Sequence, residues 1–359
     1  MARIFFIIIL AGSLNAWSAE PALEVAATPN PNVFPLLLAM HDHPDLPVKL
    51  IPVKDNKGMD VAFDQGSDGL LAMTYAIAQK ARNKVPDLSL EGVYFWRGFF
   101  EMTLPGIKSF KDLKGKGLIV SGPVSNGSGG APDMFFTAAL KRGGVSADDF
   151  SICHLPVMQG VRLIEDGMPM NSESACKGEM PAAGIMLVEP ASSGLKLESS
   201  MPFGGKSVER SIDMQELFSG YTEWQPDELP HGGFAIRRAS LKKKRQQYIA
   251  VIKAYREAVE RISRADGMFE RIRVGRIISE GMEKYYGQYK VDLPAMVVAD
   301  AIANGEMRFS DDRTLVNIRA DLEKFLEEVL NADSLPQGFF LGPGDQALSP
   351  SNNLVPSAQ

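Results

Sequence analysis

GIKSFKDLKGKGLIVSGPVSNGSGGAPDMFF, residues 106–136, is the stretch whose reading decides the fold. Within it, residues 117–120 form a short apolar run, entered through a lysine-rich turn and left through a loop of Gly, Ser, Pro and Asn. From residue 133 to residue 140 the apolar positions fall at helical spacing. The stretch therefore predicts strand, loop, helix. A glycine-rich loop at such a junction presents backbone N–H groups beside the positive end of a helix dipole, which suits an anion or a polar ligand head. An ordinary βα turn has the same composition, so spacing alone leaves both readings open. On the ligand reading the contacts are Ser121, Ser125, Asn126, Gly127 and Ser128.

Upstream, residues 92–103 (GVYFWRGFFEMT) are the most aromatic part of the chain. Tyr94, Trp96 and Gly98 alternate with Phe95, Arg97 and Phe99, as in one strand with two differently used faces. Trp96 and Phe99 can line a cleft, and the planar guanidinium of Arg97 suits a carboxylate, sulfonate or phosphate. A core strand with Arg97 meeting solvent or an acidic neighbour fits equally well. Nearer the start, residues 23–27, 48–53 and 70–73 read as strands, with residues 54–58 a turn and Thr74-Tyr75 opening a helix. In an open α/β sheet ligands bind beyond the carboxyl ends of the strands, so the loop at 28–32 is a cleft candidate. Asn30 and Asn32 can bond a ligand there or cap the helix that follows, and capping is the better role for Asn32.

Downstream, residues 150–155 and 184–188 read as strands, with loops at 156–160 and 189–194. Glu189 in the second loop offers a carboxylate to a cationic group or a sugar-like hydroxyl, or to a contact between domains. Residues 230–236 (HGGFAI after Pro230) look like a crossover whose two glycines suit a hinge or a plain turn. Helical patterns follow at 241–264, 267–286, 294–303 and 315–330, and residues 334–359 are rich in Pro, Gly, Ser and Asn, the composition of a poorly ordered tail.

The 359 residues carry a formal charge of −6, and the only basic cluster, Arg237-Arg238 with Lys242 to Arg245, suits a solvated helix face. Nucleic-acid binding is thereby disfavoured. Residues 1–19 have the basic, apolar and small-residue regions of a secretory signal peptide, cleaved near Ser18 or Ala19, and no cysteine follows for lipid attachment. About two domains remain after its removal. Export places Cys153 and Cys176 in an oxidising compartment, which favours a disulfide over two thiols. Neither belongs to a CxxC pair, and His41-Asp42-His43 is better read as an exposed turn than as a metal site. GxSxG, HExxH and a complete phosphate loop are all absent from the sequence.

Two segments carry a family resemblance. Residues 107–116 (IKSFKDLKGK), followed by a strand and a small-residue loop, and residues 177–183 (KGEMPAA), followed by an apolar run ending at Glu189-Pro190, resemble ABC-transporter solute-binding proteins of the nitrate, sulfonate and thiamine-precursor type. Weaker similarity extends from about Leu23 to Leu330. The resemblance implies an α/β, two-lobed type II periplasmic-binding fold, with a central mixed sheet in each lobe and a ligand cleft between them. It implies further that Met73, Thr74 and Tyr75 face the ligand and that Glu189 lies at the cleft, with Ser192 in the same loop and His231 at the second crossover.

Lobe 1 is then expected at 20–103 and 234–333, lobe 2 at 104–233, and a tail at 334–359. The expected role is extracytoplasmic capture of a small molecule, anionic or apolar, and its delivery to a membrane ABC permease. The expectation includes a periplasmic monomer without a metal, a cofactor or catalysis. Rival expectations are a lipid-like or sterol-like ligand in the same fold, an exported enzyme related to pyrimidine-precursor proteins with His231 as its candidate, or a sensory subunit.

Overall fold

The computed structural model describes residues 21–121, 130–173, 176, 178–199 and 208–341. The expected signal peptide and the Ser125, Asn126, Gly127 and Ser128 contacts lie outside the described residues.

The chain opens with β1 (Leu23–Ala27), α1 (Phe34–Asp42), β2 (Val48–Pro52), α2 (Asn56–Asp64), β3 (Gly69–Met73), α3 (Thr74–Asn83) and β4 (Leu88–Arg97). It continues with β5 (Phe99–Thr103), β6 (Gly117–Val120), α4 (Ala131–Arg142), β7 (Ser151–His154), α5 (Val157–Glu165), β8 (Ala182–Val188), α6 (Ala191–Ser199) and β9 (Glu209–Asp213). Then come β10 (Gly232–Arg237), α7 (Arg238–Lys243), α8 (Arg245–Ser263), α9 (Gly267–Tyr286), α10 (Ala295–Ala303), β11 (Arg308–Phe309) and α11 (Leu315–Leu330).

Two mixed sheets result, ordered β11-β4-β10-β3-β1-β2 and β7-β6-β8-β5-β9. In the first, β1 runs parallel to β2 and β3, while β10 is antiparallel to β3 and β4. In the second, β6 runs parallel to β7 and β8, and β5 is antiparallel to β8 and β9. Every residue of β3 and β6 is buried. Strands covered by helices on both faces read as unbroken apolar runs, which is why GLLAM and GLIV show no alternation. One apolar core spans both sheets, and a smaller one surrounds Met102, Ile119, Ile164 and Ile185. The smaller core contains the disulfide Cys153–Cys176, as expected.

Several local expectations change. Residues 92–103 are two strands in different sheets, because the chain turns at Gly98, which has no side chain to meet the Phe95 ring. Within the expected turn at 54–58, Asn56 already begins α2, capped by Asp55 accepting from the Gly58 N–H. The supposed loops at 156–160 and 189–194 run into α5 and α6, whose first residues follow Pro156 and Pro190, and proline is well tolerated where a helix starts. The tail is not disordered from Ser334. Phe339, Phe340 and Leu341 are buried, and Phe339 O and the Leu341 N–H bond the backbone of Leu90. Their apolar side chains overcame the turn-like composition around them.

Candidate functional site

The two sheets meet where β4 gives way to β5 and where the chain comes back into β10. The Leu229 N–H donates to Trp96 O (2.7 Å), and the Thr74 N–H donates to His231 O (2.7 Å). These bonds set His231 among rings from both halves of the molecule. Its centroid lies 4.5 Å from Phe99, 4.9 Å from Phe135 and 6.0 Å from Phe95. Tyr75, from α3, stacks on Phe135 of α4 at 5.9 Å and 13°. Phe135 in turn stacks on Phe218 at 5.3 Å and 15°, and Phe218 meets Phe325 of α11.

Gln215 defines the state of His231. Its Oε1 accepts from the Phe99 N–H (2.8 Å), and its Nε2 donates to Phe99 O (3.0 Å) and Asp213 Oδ1 (2.6 Å). The amide can therefore face only one way. His231 Nε2 lies 3.0 Å from Gln215 Oε1, so that nitrogen carries the proton and donates. Burial, helped by the nearby positive charge of Arg97, holds the ring well below the usual histidine range and therefore neutral. His231 Nδ1 is left as a bare acceptor with no hydrogen-bond partner among the described residues, and the Tyr75 hydroxyl is unpartnered as well. Burial also pushes the Tyr75 phenol well above its ordinary range, so it stays un-ionised.

Two charged clusters form beside β5, each with a guanidinium over the Phe100 ring. Arg97 Nη1 donates to Asp227 O (2.8 Å) and Asp227 Oδ2 (3.2 Å), and its Nη2 pairs with Asp213. Arg210 pairs with Glu189 and Glu306, donates to Ser192 Oγ (2.7 Å) and lies 3.8 Å over the Phe100 ring. Glu189 also accepts from the Ser192 hydroxyl and the Ser193 N–H. Burial raises the Glu189 carboxyl above its ordinary value, with Arg210 opposing the rise.

The remaining sequence candidates take local roles. Asn30, rather than Asn32, caps the turn before α1: its Oδ1 accepts from Asn32 N and Asn32 Nδ2, both at 2.9 Å. Met73 Sδ accepts from Asn32 Nδ2 at 3.6 Å, and the Thr74 hydroxyl donates to Pro230 O. Ser121 Oγ donates to Leu155 O (2.6 Å). Trp96 is fully buried beside Trp224, with Arg313 4.5 Å over its ring. The Gly232–Gly233 pair is explained by close packing, since a Cβ on Gly232 would lie 1.5 Å from Asn32 Oδ1. Tyr75, Phe99 and His231 are thus brought together. The charges of Arg97 and Glu189 are matched within the protein. Phe135, Gln215 and Arg210 were not singled out from sequence, because nothing local in it marks partners so distant along the chain. A surface cavity of about 340 Å³ between α1 and α9, lined by Leu37, Met40, His43 and Lys284 among others, holds none of the candidates. No metal-binding cluster of His, Cys, Asp or Glu is found among the described residues.

No protein-family model and no curated protein matches the chain. Solved structures do. The chain is similar to the periplasmic aliphatic sulphonate binding protein SsuA from Escherichia coli, at TM-score 0.57 and 16% identity over 87% of this chain and 86% of that one. It is also similar to the periplasmic nitrate-binding protein NrtA from Synechocystis PCC 6803, at TM-score 0.52 and 14% identity over 79% and 70% of the two chains. A Candida albicans protein described as having the generic periplasmic binding protein fold matches at TM-score 0.55 and 13% identity over 91% and 95%. The chain has that fold, with one sheet for each lobe, and these neighbours are of the kind the sequence resembles.

Proposed function

We propose that the protein is an extracytoplasmic solute-binding protein that captures a small molecule between its two lobes and delivers it to a membrane ABC permease. The observation that carries this reading is the ring cluster at the junction of the sheets, to which both halves contribute and in which two buried polar atoms have no partner among the described residues. Buried polar groups are nearly always satisfied, so an orphan pair at such a junction suits a ligand. On this reading residues 1–19 direct export. Lobe 1 holds the first sheet with α8 to α11, and lobe 2 begins at Gly98 rather than at the expected residue 104, since β5 (Phe99–Thr103) pairs in the second sheet, and runs to the segment between β9 and β10. The lobes part and close about the crossovers, and ligand stabilises the closed form by as much as the closed form favours ligand.

Native mass spectrometry of protein purified without refolding tests the proposal, paired with hydrogen exchange before and after ligand removal. A retained small molecule whose loss exposes Tyr75, Phe99 and residues 229–233 supports it. Retention with unchanged exchange at these positions refutes it.

A further inference from the structure

We propose that the ligand is a neutral, ring-sized molecule bearing an N–H or O–H group, which it donates to His231 Nδ1, with the Tyr75 hydroxyl as a second polar contact. This rests on the interlobe receptor reading above. Gln215 locks the tautomer of His231, so the free nitrogen offers only a lone pair. A ligand with acceptor atoms alone would turn like charge toward that lone pair. Nitrate and sulfonate are ligands of that kind.

Cationic help for an anion is already committed. Arg97 is matched by Asp213 and Asp227, and Arg210 by Glu189 and Glu306, so each guanidinium faces two carboxylates. Arg308 also pairs with Asp227 and Lys196 with Glu306, so both clusters are balanced and neither Arg97 nor Arg210 is left uncommitted to receive an anion. The walls are aromatic. Tyr75, Phe135 and Phe218 stand nearly parallel, and Phe99 closes on His231 at 4.5 Å. A planar ligand sliding among such rings exchanges ring contacts for ring contacts, so opening the cluster costs little packing once the ligand is in place. His231 and Tyr75 then set specificity through one acceptor and one hydroxyl.

The test is a thermal-shift and NMR screen of the full chain with three sets of probes. The first contains neutral ring compounds with N–H groups, headed by nicotinamide, 2-pyridone and indole, each beside the neutral counterpart in which methyl replaces every N–H hydrogen (N,N-dimethylnicotinamide, 1-methyl-2-pyridone and 1-methylindole). The second contains nitrate and methanesulfonate, and the third contains decanoate. The expected result is binding from the first set, with an upfield move of the His231 Nδ1 signal in ¹⁵N spectra. N-methylation, or Tyr75→Phe in the protein, should weaken binding about tenfold, the worth of one buried hydrogen bond. The ligand-free melting temperature of Tyr75→Phe should not fall. Binding only from the second or third set, protected at the same residues, overturns the ligand class and leaves the receptor reading standing. Equal binding of methylated and unmethylated probes also overturns it. No binding from any set overturns both.

Discussion

Glu101 offers the sharpest test of the energetics. It sits in the middle of β5, fully buried, and neither carboxylate oxygen has a hydrogen-bond partner among the described residues. Leu118 is a close neighbour, and the missing side chain of Gly184 leaves the room the carboxyl occupies. Burial raises its pKa well above 4.5, so the group stays protonated in the folded protein under conditions where the unfolded chain would ionise it. The sign follows. Above the unfolded value the folded state holds a proton that the unfolded state releases, so stability falls as pH rises toward the folded value and is regained on acidification. Each pH unit in that window removes about 1.4 kcal/mol. The unpartnered neutral carboxyl adds a further cost of about 1–3 kcal/mol. Glu101→Met removes both contributions with a side chain of similar length and should stabilise the protein by about 2–4 kcal/mol near neutral pH. Glu101→Gln should flatten the pH dependence and gain less. Urea unfolding of the three proteins between about pH 5 and about pH 8 measures this. The reasoning is refuted if Glu101→Met is less stable than the parent at neutral pH, or if all three proteins share one pH profile.

Arg210→Met strands the buried Glu189 without its cation, leaves Glu306 only Lys196 at 3.5 Å, and should cost about 3–5 kcal/mol in chemical denaturation. The triple change that also makes Glu189→Gln and Glu306→Gln should recover most of that loss. Replacing both Cys153 and Cys176 by Ser opens a link between residues 23 positions apart and should lower stability by about 3 kcal/mol. Mild reduction of the parent protein should reproduce that loss. Gly232→Ala drives a methyl group into Asn32 and should cost about 3 kcal/mol or prevent folding, while Gly232→Ala combined with Asn32→Ala should recover only part of that loss, because Phe95 Cβ still lies 2.9 Å from the new methyl. A Gly232→Ala variant as stable as the parent would show that Asn32 moves freely.

The architecture was legible because it is written in local runs. GLLAM, GLIV and the run ending at Val188 announce buried strands, and the periodic stretch at 267–286 coincides with α9. The two-sheet layout followed from the resemblance carried by residues 107–116 and 177–183. Short helices hid behind turn residues: the NKG at 56–58 reads as a turn until Asp55 is seen capping it. Residues 92–103 read as one strand because alternation does not reveal that Gly98 hands the chain to another sheet. Among the site residues, Tyr75, Phe99 and His231 stood out by type and position. Their meaning did not, because it depends on Gln215, Phe135 and two acid–base clusters that join residues up to about a hundred or more positions apart, and pattern reading sees only neighbours. Arg97 illustrates the limit: a strand arginine is equally suited to a ligand anion and to the Asp213 and Asp227 it meets.

The short C-terminal run at 339–341 has a consequence for handling the protein. β11 pairs with β4 only opposite Arg97 and Phe95, leaving the first half of β4, among the described residues, without a neighbour on that side except where Phe340 lies beside Leu90. A chain cut ahead of Pro336 would bare a rim of amide and carbonyl groups flanked by Leu88 and Leu90. Such a rim is a template for a strand from another molecule, so the shortened protein should self-associate even with both lobes correctly folded.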